Sequence, residues 1–263
     1  MATLTVDGAE LSYAVDGDGP AIAFVHGWCS HSVHWGRVAD AMAAQYRVVR
    51  WDRRGMGRST TDVPAASAER HADDLAAILD AEGIDTAVVV GHAGGGPTTL
   101  SFATRHANRA DAVGLVDIAL NDPANAPAAK AYEQRIASIV DSLSGHDREP
   151  AMRGLYSSFF GPHAAADIVA EAVSSAVDTE PDVAVAELAH VLSDTAGAAR
   201  RTSCPVLWIS ANPRDTAGVE DVFDDVMVGH VVGSGHFPQV EVPDQVEAML
   251  RTFLHQRTSR ASR

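Results

Sequence analysis

The feature that most constrains the fold of this chain is a buried strand followed by a glycine-rich turn and a helix. Residues 88–96 read Val-Val-Val-Gly-His-Ala-Gly-Gly-Gly, and three successive valines favour a strand buried in a sheet. Gly91 and Gly95 occupy the two positions where a side chain would clash with a sharp turn. The sequence therefore predicts a strained strand-to-helix turn that holds Ala93 at the edge of a sheet.

Short apolar runs alternate with helical stretches on both sides of this turn. Strands are predicted at 4–6, 11–15, 21–25, 47–51, 87–90, 112–118, 205–210 and 226–232, and helices between them at 35–45, 69–82, 97–106 and 243–255. Alternation of this kind predicts a mostly parallel sheet with helices on both faces.

The pattern changes between residues 121 and 201. This stretch contains no convincing strand, and its alanine-rich segments 128–143, 164–177 and 183–192 predict helices. We interpret residues 121–201 as a helical cap inserted into one sheet domain formed by residues 1–120 and 202–263. A chain of 263 residues is long enough for such an arrangement.

The composition restricts the binding partners and the cellular compartment that we expect for this chain. The net charge of −15 argues against nucleic acid and anionic membranes as partners. No apolar run approaches the roughly 20 residues that a membrane-spanning helix needs, and the first residues lack the pattern of a signal peptide. Cys29 and Cys204 are far apart and form no metal-binding spacing. We expect a cytoplasmic protein with free thiols and no metal site.

Four sequence blocks occur in the order typical of one enzyme superfamily, and the chain is similar to the α/β-hydrolases over essentially its whole length. The resemblance implies an eight-stranded, mostly parallel sheet with an inserted helical cap and no cofactor. The blocks are His26-Gly27-Trp28, the segment Asp-Arg-Arg-Gly-Met-Gly-Arg-Ser at 52–59, the turn Gly91-His92-Ala93-Gly94-Gly95, and Gly233-Ser234-Gly235-His236-Phe237.

The resemblance assigns Ala93 to the position of the nucleophilic serine. A methyl group can neither attack a carbonyl nor be activated by a base. His236 follows the predicted strand 226–232 through a Gly-Ser-Gly loop, and it is the candidate general base, which takes a proton from the nucleophile and returns it to the leaving group.

Two aspartates are candidates for the acid that orients His236. Asp215 follows the predicted strand 205–210, where the family most often carries its acid, but little chain separates Asp215 from His236. Asp117 ends the strand 112–118, and its spacing from Ala93 matches family members that keep the acid after this earlier strand. We favour Asp117, with Asp215 as the alternative.

Oxyanion stabilisation is expected from backbone amides, because groups fixed by the fold need no reorganisation as charge develops. Position suggests the amides of Trp28 and Gly94, beside Gly27 and His92. Tyr156 and Phe159 in the cap are candidates to line a pocket for an apolar substrate.

Three functions remain open at this stage. The first is a hydrolase of carboxylic esters or lactones whose serine is replaced by Ala93. The second follows from a resemblance to cofactor-free dioxygenases of quinolone-type heterocycles, in which a His–Asp dyad deprotonates the substrate. The third is a non-catalytic binding protein. The expected partner is thus a small apolar ester, lactone or heterocycle, and a homodimer is left open.

Overall fold

One eight-stranded sheet organises the chain, as seen in a computed structural model that describes residues 1–61, 67–145, 147–211 and 218–261 (for His190 and 257–261, the backbone alone). The strand order is β1-β2-β4-β3-β5-β6-β7-β8; β1 and β2 form an antiparallel edge, and β3 to β8 run parallel. This confirms the predicted fold class. The strands are β1 Ala2–Val6, β2 Ala9–Asp16, β3 Ala21–Val25, β4 Arg47–Trp51, β5 Ala87–His92, β6 Ala110–Val116, β7 Val206–Ser210 and β8 Val226–His230.

Helices cover both faces of the sheet. In β3, Ala23 packs in a cluster with α2 and α3, whereas its neighbours Ile22 and Phe24 pack on the opposite face with α1 and α10. Within the described residues no helix is long and apolar enough to cross a membrane. The helices outside the inserted segment are α1 Gly36–Met42, α2 Ala68–Ala81, α3 Gly96–Arg105, α9 Pro238–Glu241 and α10 Pro243–Ala261.

Within the described residues, five helices lie between β6 and β7, in the cap segment, residues 121–201. They are α4 Ala126–Leu143, α5 Arg148–Ser158, α6 Ala166–Asp178, α7 Pro181–Val191 and α8 Thr195–Arg200. Apolar side chains of α4 to α7 form a third cluster, which also includes Cys29 and Phe237 from the loops of the sheet domain, whereas Ala199 of α8 packs with α2 and α3. The cap segment therefore packs directly against the loops at the carboxyl ends of the strands.

A buried ion pair also joins the cap segment to the sheet domain. Arg53, in the loop after β4, donates to Glu187 of α7 over 2.7 Å, and the other oxygen of Glu187 lies 2.8 Å from His71 Nε2. The Arg53 and Glu187 side chains are 0% and 1% exposed. Such a pair contributes little net stability when intact, but removal of one partner leaves a charge buried without compensation.

Glu187→Gln should therefore lower the free energy of unfolding by about 3–5 kcal/mol. Glu149→Gln provides the matched control, because Glu149 pairs with Arg153 on the surface of α5 and should cost less than about 0.5 kcal/mol. Urea denaturation of the two variants makes the comparison. Equal, small losses would mean that the buried pair does not hold the cap segment in place.

Candidate functional site

The turn after β5 has the strained backbone that the sequence predicts. Ala93 adopts φ +45°, in the left-handed region that residues with a side chain rarely occupy. A Cβ on Gly91 would lie 2.2 Å from Thr99 Oγ1, and one on Gly95 would lie 2.6 Å from the carbonyl oxygen of His26. Only glycine fits at both positions, which permits the sharp bend with Ala93 at its tip.

His236 and Asp117 are in direct contact at the carboxyl edge of the sheet. His236 Nδ1 lies 2.7 Å from Asp117 Oδ2, and the His236 side chain is about one-third exposed. The carboxylate is largely buried. Since a carboxylate accepts, Nδ1 carries the proton and Nε2 is left as the basic nitrogen of a neutral imidazole. The pair has the arrangement of a general base with its orienting acid.

The backbone around Asp117 presents its carboxylate to His236. Strand β6 ends at Val116, two residues before the predicted end, because Asp117 turns out of the sheet at φ +48°. Its second oxygen, Oδ1, accepts from the amide of Ala211 over 2.8 Å. Burial raises the pKa of Asp117, but the hydrogen bond and charge of His236 and the Ala211 amide outweigh it and hold the pKa below its ordinary value. Asp215, the alternative acid, lies outside the described residues.

Glu241 organises the loop that carries His236, a role that the sequence analysis missed. Its Oε1 accepts from the amides of Gly235 and Phe237 over 3.0 and 3.3 Å, and its Oε2 accepts from the amide of Gly161 in the cap segment over 2.8 Å. One carboxylate thus ties the histidine loop to the cap. A glutamate in a short helix after the histidine gives no recognisable signal in a single sequence.

A cavity of about 600 Å³ opens beside Ala93, Asp117 and His236, between the sheet edge and the cap segment. Its wall is mainly apolar and aromatic, which is typical of a small-molecule site. The other lining residues are Trp28, His92, Gly94, Pro97, Ile118, Ala119, Leu120, Tyr132, Arg135, Ile136, Ile139, Tyr156, Ser158, Phe159, Leu188, Val191, Trp208, Val219 and Phe237.

The structure brings Trp28 and Gly94, the predicted oxyanion residues, into contact. A Cβ on Gly94 would lie 2.9 Å from the amide nitrogen of Trp28, so the two backbones meet on one wall of the cavity. The Tyr156 hydroxyl donates to the Trp28 carbonyl, and the Trp28 indole donates to the Ala184 carbonyl over 2.8 Å. The cap segment therefore fixes the position of Trp28 from two sides.

Phe159 and Tyr156 have different positions in the cavity wall. The Phe159 ring packs edge-on against the His236 ring with centroids 5.3 Å apart. The backbone carbonyl of Phe159 accepts from the His236 amide over 2.6 Å. Tyr156 is buried beneath it and contacts both Phe159 and Phe237. Phe159 thus lies next to His236, whereas the buried Tyr156 ring packs against Phe159 and Phe237 in the cavity wall.

His92 is a buried neutral histidine beside the base. Its Nε2 lies 2.6 Å from the carbonyl oxygen of His236, which can only accept, so Nε2 carries the proton. Burial, followed by the charge of His236, lowers the pKa of His92 to about 3. A Cβ on Gly27 would lie 3.0 Å from His92 Nδ1. Gly27 therefore leaves room for this ring and does not line the cavity.

The nearby cysteine is not placed to act as a substitute nucleophile. Cys29 is fully buried in the cluster of the cap segment, and burial raises the pKa of its thiol strongly. A thiol is reactive as the thiolate, which this environment disfavours.

The chain is similar to known proteins along its sequence and in its fold. The model of the alpha/beta hydrolase family matches residues 22–249. The bifunctional esterase/perhydrolase DCH of Acinetobacter calcoaceticus is 37% identical over 107 residues, which is 40% of this chain and 39% of that protein. The chain thus spans about two fifths of the length of the curated relatives it matches.

Two solved structures share the fold over nearly their whole length. An esterase from Thermogutta terrifontis superposes with a TM-score of 0.83 at 19% identity, covering 95% of this chain and 94% of that one. The enol-lactonase from Burkholderia xenovorans LB400 superposes with a TM-score of 0.82 at 20% identity, covering 97% and 100%. With the family model matching most of its length and the eight-stranded sheet in place, the chain belongs to the alpha/beta hydrolase family.

Proposed function

We propose that the site is built to hydrolyse carboxylic esters or lactones, and that Ala93 makes this chain a slow, substrate-binding form of such a hydrolase. The observation that carries the proposal is the His236–Asp117 pair, 2.7 Å apart, on the wall of the cavity that contains the strained turn of Ala93. In this proposal His236 is the base, Asp117 the orienting acid and the backbone of Trp28 and Gly94 the oxyanion donor, while Ala93 lacks the attacking hydroxyl.

Each group has a defined part in this mechanism. The acyl carbonyl oxygen lies toward the amides of Trp28 and Gly94, where negative charge on the tetrahedral intermediate is stabilised. His236 Nε2 takes a proton from the attacking oxygen and passes it to the departing alkoxide. Asp117 keeps the imidazole in the required tautomer and stabilises the imidazolium that forms.

Ala93 changes which oxygen attacks. A serine would form an acyl-enzyme through its hydroxyl and release the alcohol, and water would then cleave the acyl-enzyme. In this chain the attacking oxygen has to come from water, which the protein holds less firmly than a side chain. Slow turnover remains, since backbone amides and binding still lower the barrier when a member of a catalytic triad is absent.

The similar proteins support the choice of ester and lactone substrates. Their names describe an esterase/perhydrolase, an esterase and an enol-lactonase. The mainly apolar cavity fits a small substrate of this class.

Ala93→Ser should raise hydrolysis of a short p-nitrophenyl ester by about 10³-fold or more, because the base and the amides are already placed. The same substitution in a His236→Gln background is the control and should give no comparable gain. Initial rates and labelling by a fluorophosphonate probe measure the effect. A folded serine variant with neither gain nor labelling would refute the hydrolase proposal.

Asp117→Asn in the Ala93→Ser background should lower kcat by about 10³–10⁴-fold, because an amide leaves the imidazole in the wrong tautomer. Asp215→Asn, the matched control, should have a small effect. Rates at saturating ester measure both. A larger loss from Asp215→Asn would transfer the acid role to Asp215.

Phe159→Ala in the Ala93→Ser background should change the relative rates on esters of different acyl length, because the Phe159 ring contacts His236 at the cavity wall. Phe160→Ala is the matched control: Phe160 stacks on Phe237 at 4.8 Å and does not line the cavity. The relative kcat/KM values across a panel of esters distinguish the two variants. Unchanged selectivity in Phe159→Ala would assign this ring to cap packing alone.

A second candidate follows from the same base and acid. A complete His236–Asp117 dyad without a hydroxyl at position 93 suits a cofactor-free dioxygenase, in which the histidine removes the acidic proton of a heterocycle whose anion reacts with oxygen. Oxygen consumption by the unaltered chain on 3-hydroxy-4-quinolones would favour this candidate. A flat oxygen trace, beside ester hydrolysis in the serine variant, is the result that our proposal expects.

A further inference from the structure

Two histidines and a glutamate converge away from the cavity, where the cap segment meets the sheet domain. His31 Nε2 lies 2.9 Å from Glu171 Oε1, and His34 Nε2 lies 2.8 Å from Glu171 Oε2. Each residue offers one donor atom, and the three atoms lie within 4.8 Å of one another. The arrangement holds two imidazole nitrogens and a carboxylate oxygen around one point.

The ligand set comes from two separate parts of the fold. His31 directly precedes a short 3₁₀ turn, Ser32–Trp35, in the loop after β3, and His34 lies within that turn. Glu171 lies on α6 of the cap segment. The side chains are 20%, 1% and 44% exposed, respectively, so His34 is held rigidly inside while His31 and Glu171 leave a path from solvent.

We propose that His31, His34 and Glu171 bind a divalent transition-metal ion, with Zn²⁺ as the reference ion, and that this ion clamps the cap segment to the sheet domain. Imidazole and carboxylate ligands suit zinc and its neighbours Co²⁺ and Ni²⁺. Three protein ligands leave the fourth tetrahedral position to water.

The three side chains have to adjust before they can hold the ion. Zinc binds nitrogen and oxygen ligands at about 2.0–2.2 Å, which separates neighbouring tetrahedral ligands by about 3.3–3.5 Å. The two Nε2-to-carboxylate distances, which go to different oxygens of Glu171, are 2.9 and 2.8 Å and would have to open by roughly half an ångström, while the widest separation among the three donor atoms, up to 4.8 Å, would have to close by about 1 Å or more. His31 and Glu171 are partly exposed, so their side chains can rotate to make these shifts.

The surroundings of His34 match those of a metal ligand. Ser30 Oγ contacts His34 Nδ1. When Nε2 binds an ion, the ring proton resides on Nδ1, and this N–H donates a hydrogen bond to the Ser30 hydroxyl oxygen once the hydroxyl has rotated. Ligating histidines commonly use their second nitrogen in this way, which fixes both the tautomer and the ring orientation.

Local charge also favours a cation. His31 lines a cleft that contains Asp178 and Glu180 from the cap segment, along with Arg58. The protein as a whole carries a net charge of −15, which raises the concentration of cations near its surface.

The untagged chain, freed of metal with a chelator, provides the test. Zn²⁺ should bind with 1:1 stoichiometry in calorimetry, and a hundredfold excess over the dissociation constant should raise Tm by about 5 °C. Co²⁺ should produce the strong visible absorption of a tetrahedral site. These readouts do not depend on the catalytic proposal.

Glu171→Gln and His31→Ala should each weaken Zn²⁺ binding at least tenfold and abolish the rise in Tm. Both residues are partly exposed, so these variants are expected to fold. His106→Ala is the matched control, because His106 pairs with Asp73 outside this cluster, and it should bind Zn²⁺ like the original chain. Absence of 1:1 binding, or equal binding by Glu171→Gln, would show that the three residues form hydrogen bonds only and would overturn the proposal.

Discussion

The candidate site depends on left-handed backbone turns at the carboxyl ends of three neighbouring strands. Cys29, Ala93 and Asp117 follow β3, β5 and β6, and they adopt φ values of +43°, +45° and +48°. A residue with a Cβ pays about 1–2 kcal/mol for this conformation. The surrounding packing has to supply that energy. The three turns direct Trp28, Ala93 and Asp117 toward one cavity.

The cap segment and the loop that carries His236 complete the candidate site at the edge of the sheet. Parallel strands bring their carboxyl ends to one edge, but they do not determine where a long loop such as that of His236 lies. Glu241 supplies this constraint by accepting hydrogen bonds from three backbone amides, one of them that of Gly161 in the cap segment. The Tyr156 hydroxyl, also in the cap segment, constrains Trp28 by donating to its carbonyl. Because the His236 loop and the Trp28 backbone are each hydrogen-bonded to the cap segment, a shift of the cap segment would disturb both together.

The sequence was sufficient for the sheet, because valine runs, glycine turns and helix stops are local signals. It favoured Asp117 as the partner of His236 only through a spacing that the family resemblance supplied, with Asp215 as the alternative. It was not sufficient for helices α5 and α8. Only Met152 and Tyr156 are buried in the polar helix α5, and α8 has six residues, so neither shows a long apolar stripe. Contacts that the family resemblance did not supply gave no signal either. Glu241 and the cluster of His31 with Glu171 arise only when the cap folds back on the sheet.

The turn after β5 keeps its strained conformation at Ala93, which has no hydroxyl to present, so the strain cannot be attributed to the display of a nucleophile in this chain. The strain accompanies a tight bend that only glycine permits at positions 91 and 95. What distinguishes the candidate reactions is therefore where charge develops. In the proposed hydrolysis, negative charge would develop on an oxygen beside the amides of Trp28 and Gly94, whereas in the alternative oxygenation it would develop on a substrate whose proton has moved to His236. Position 93 decides whether the first route has a covalent step.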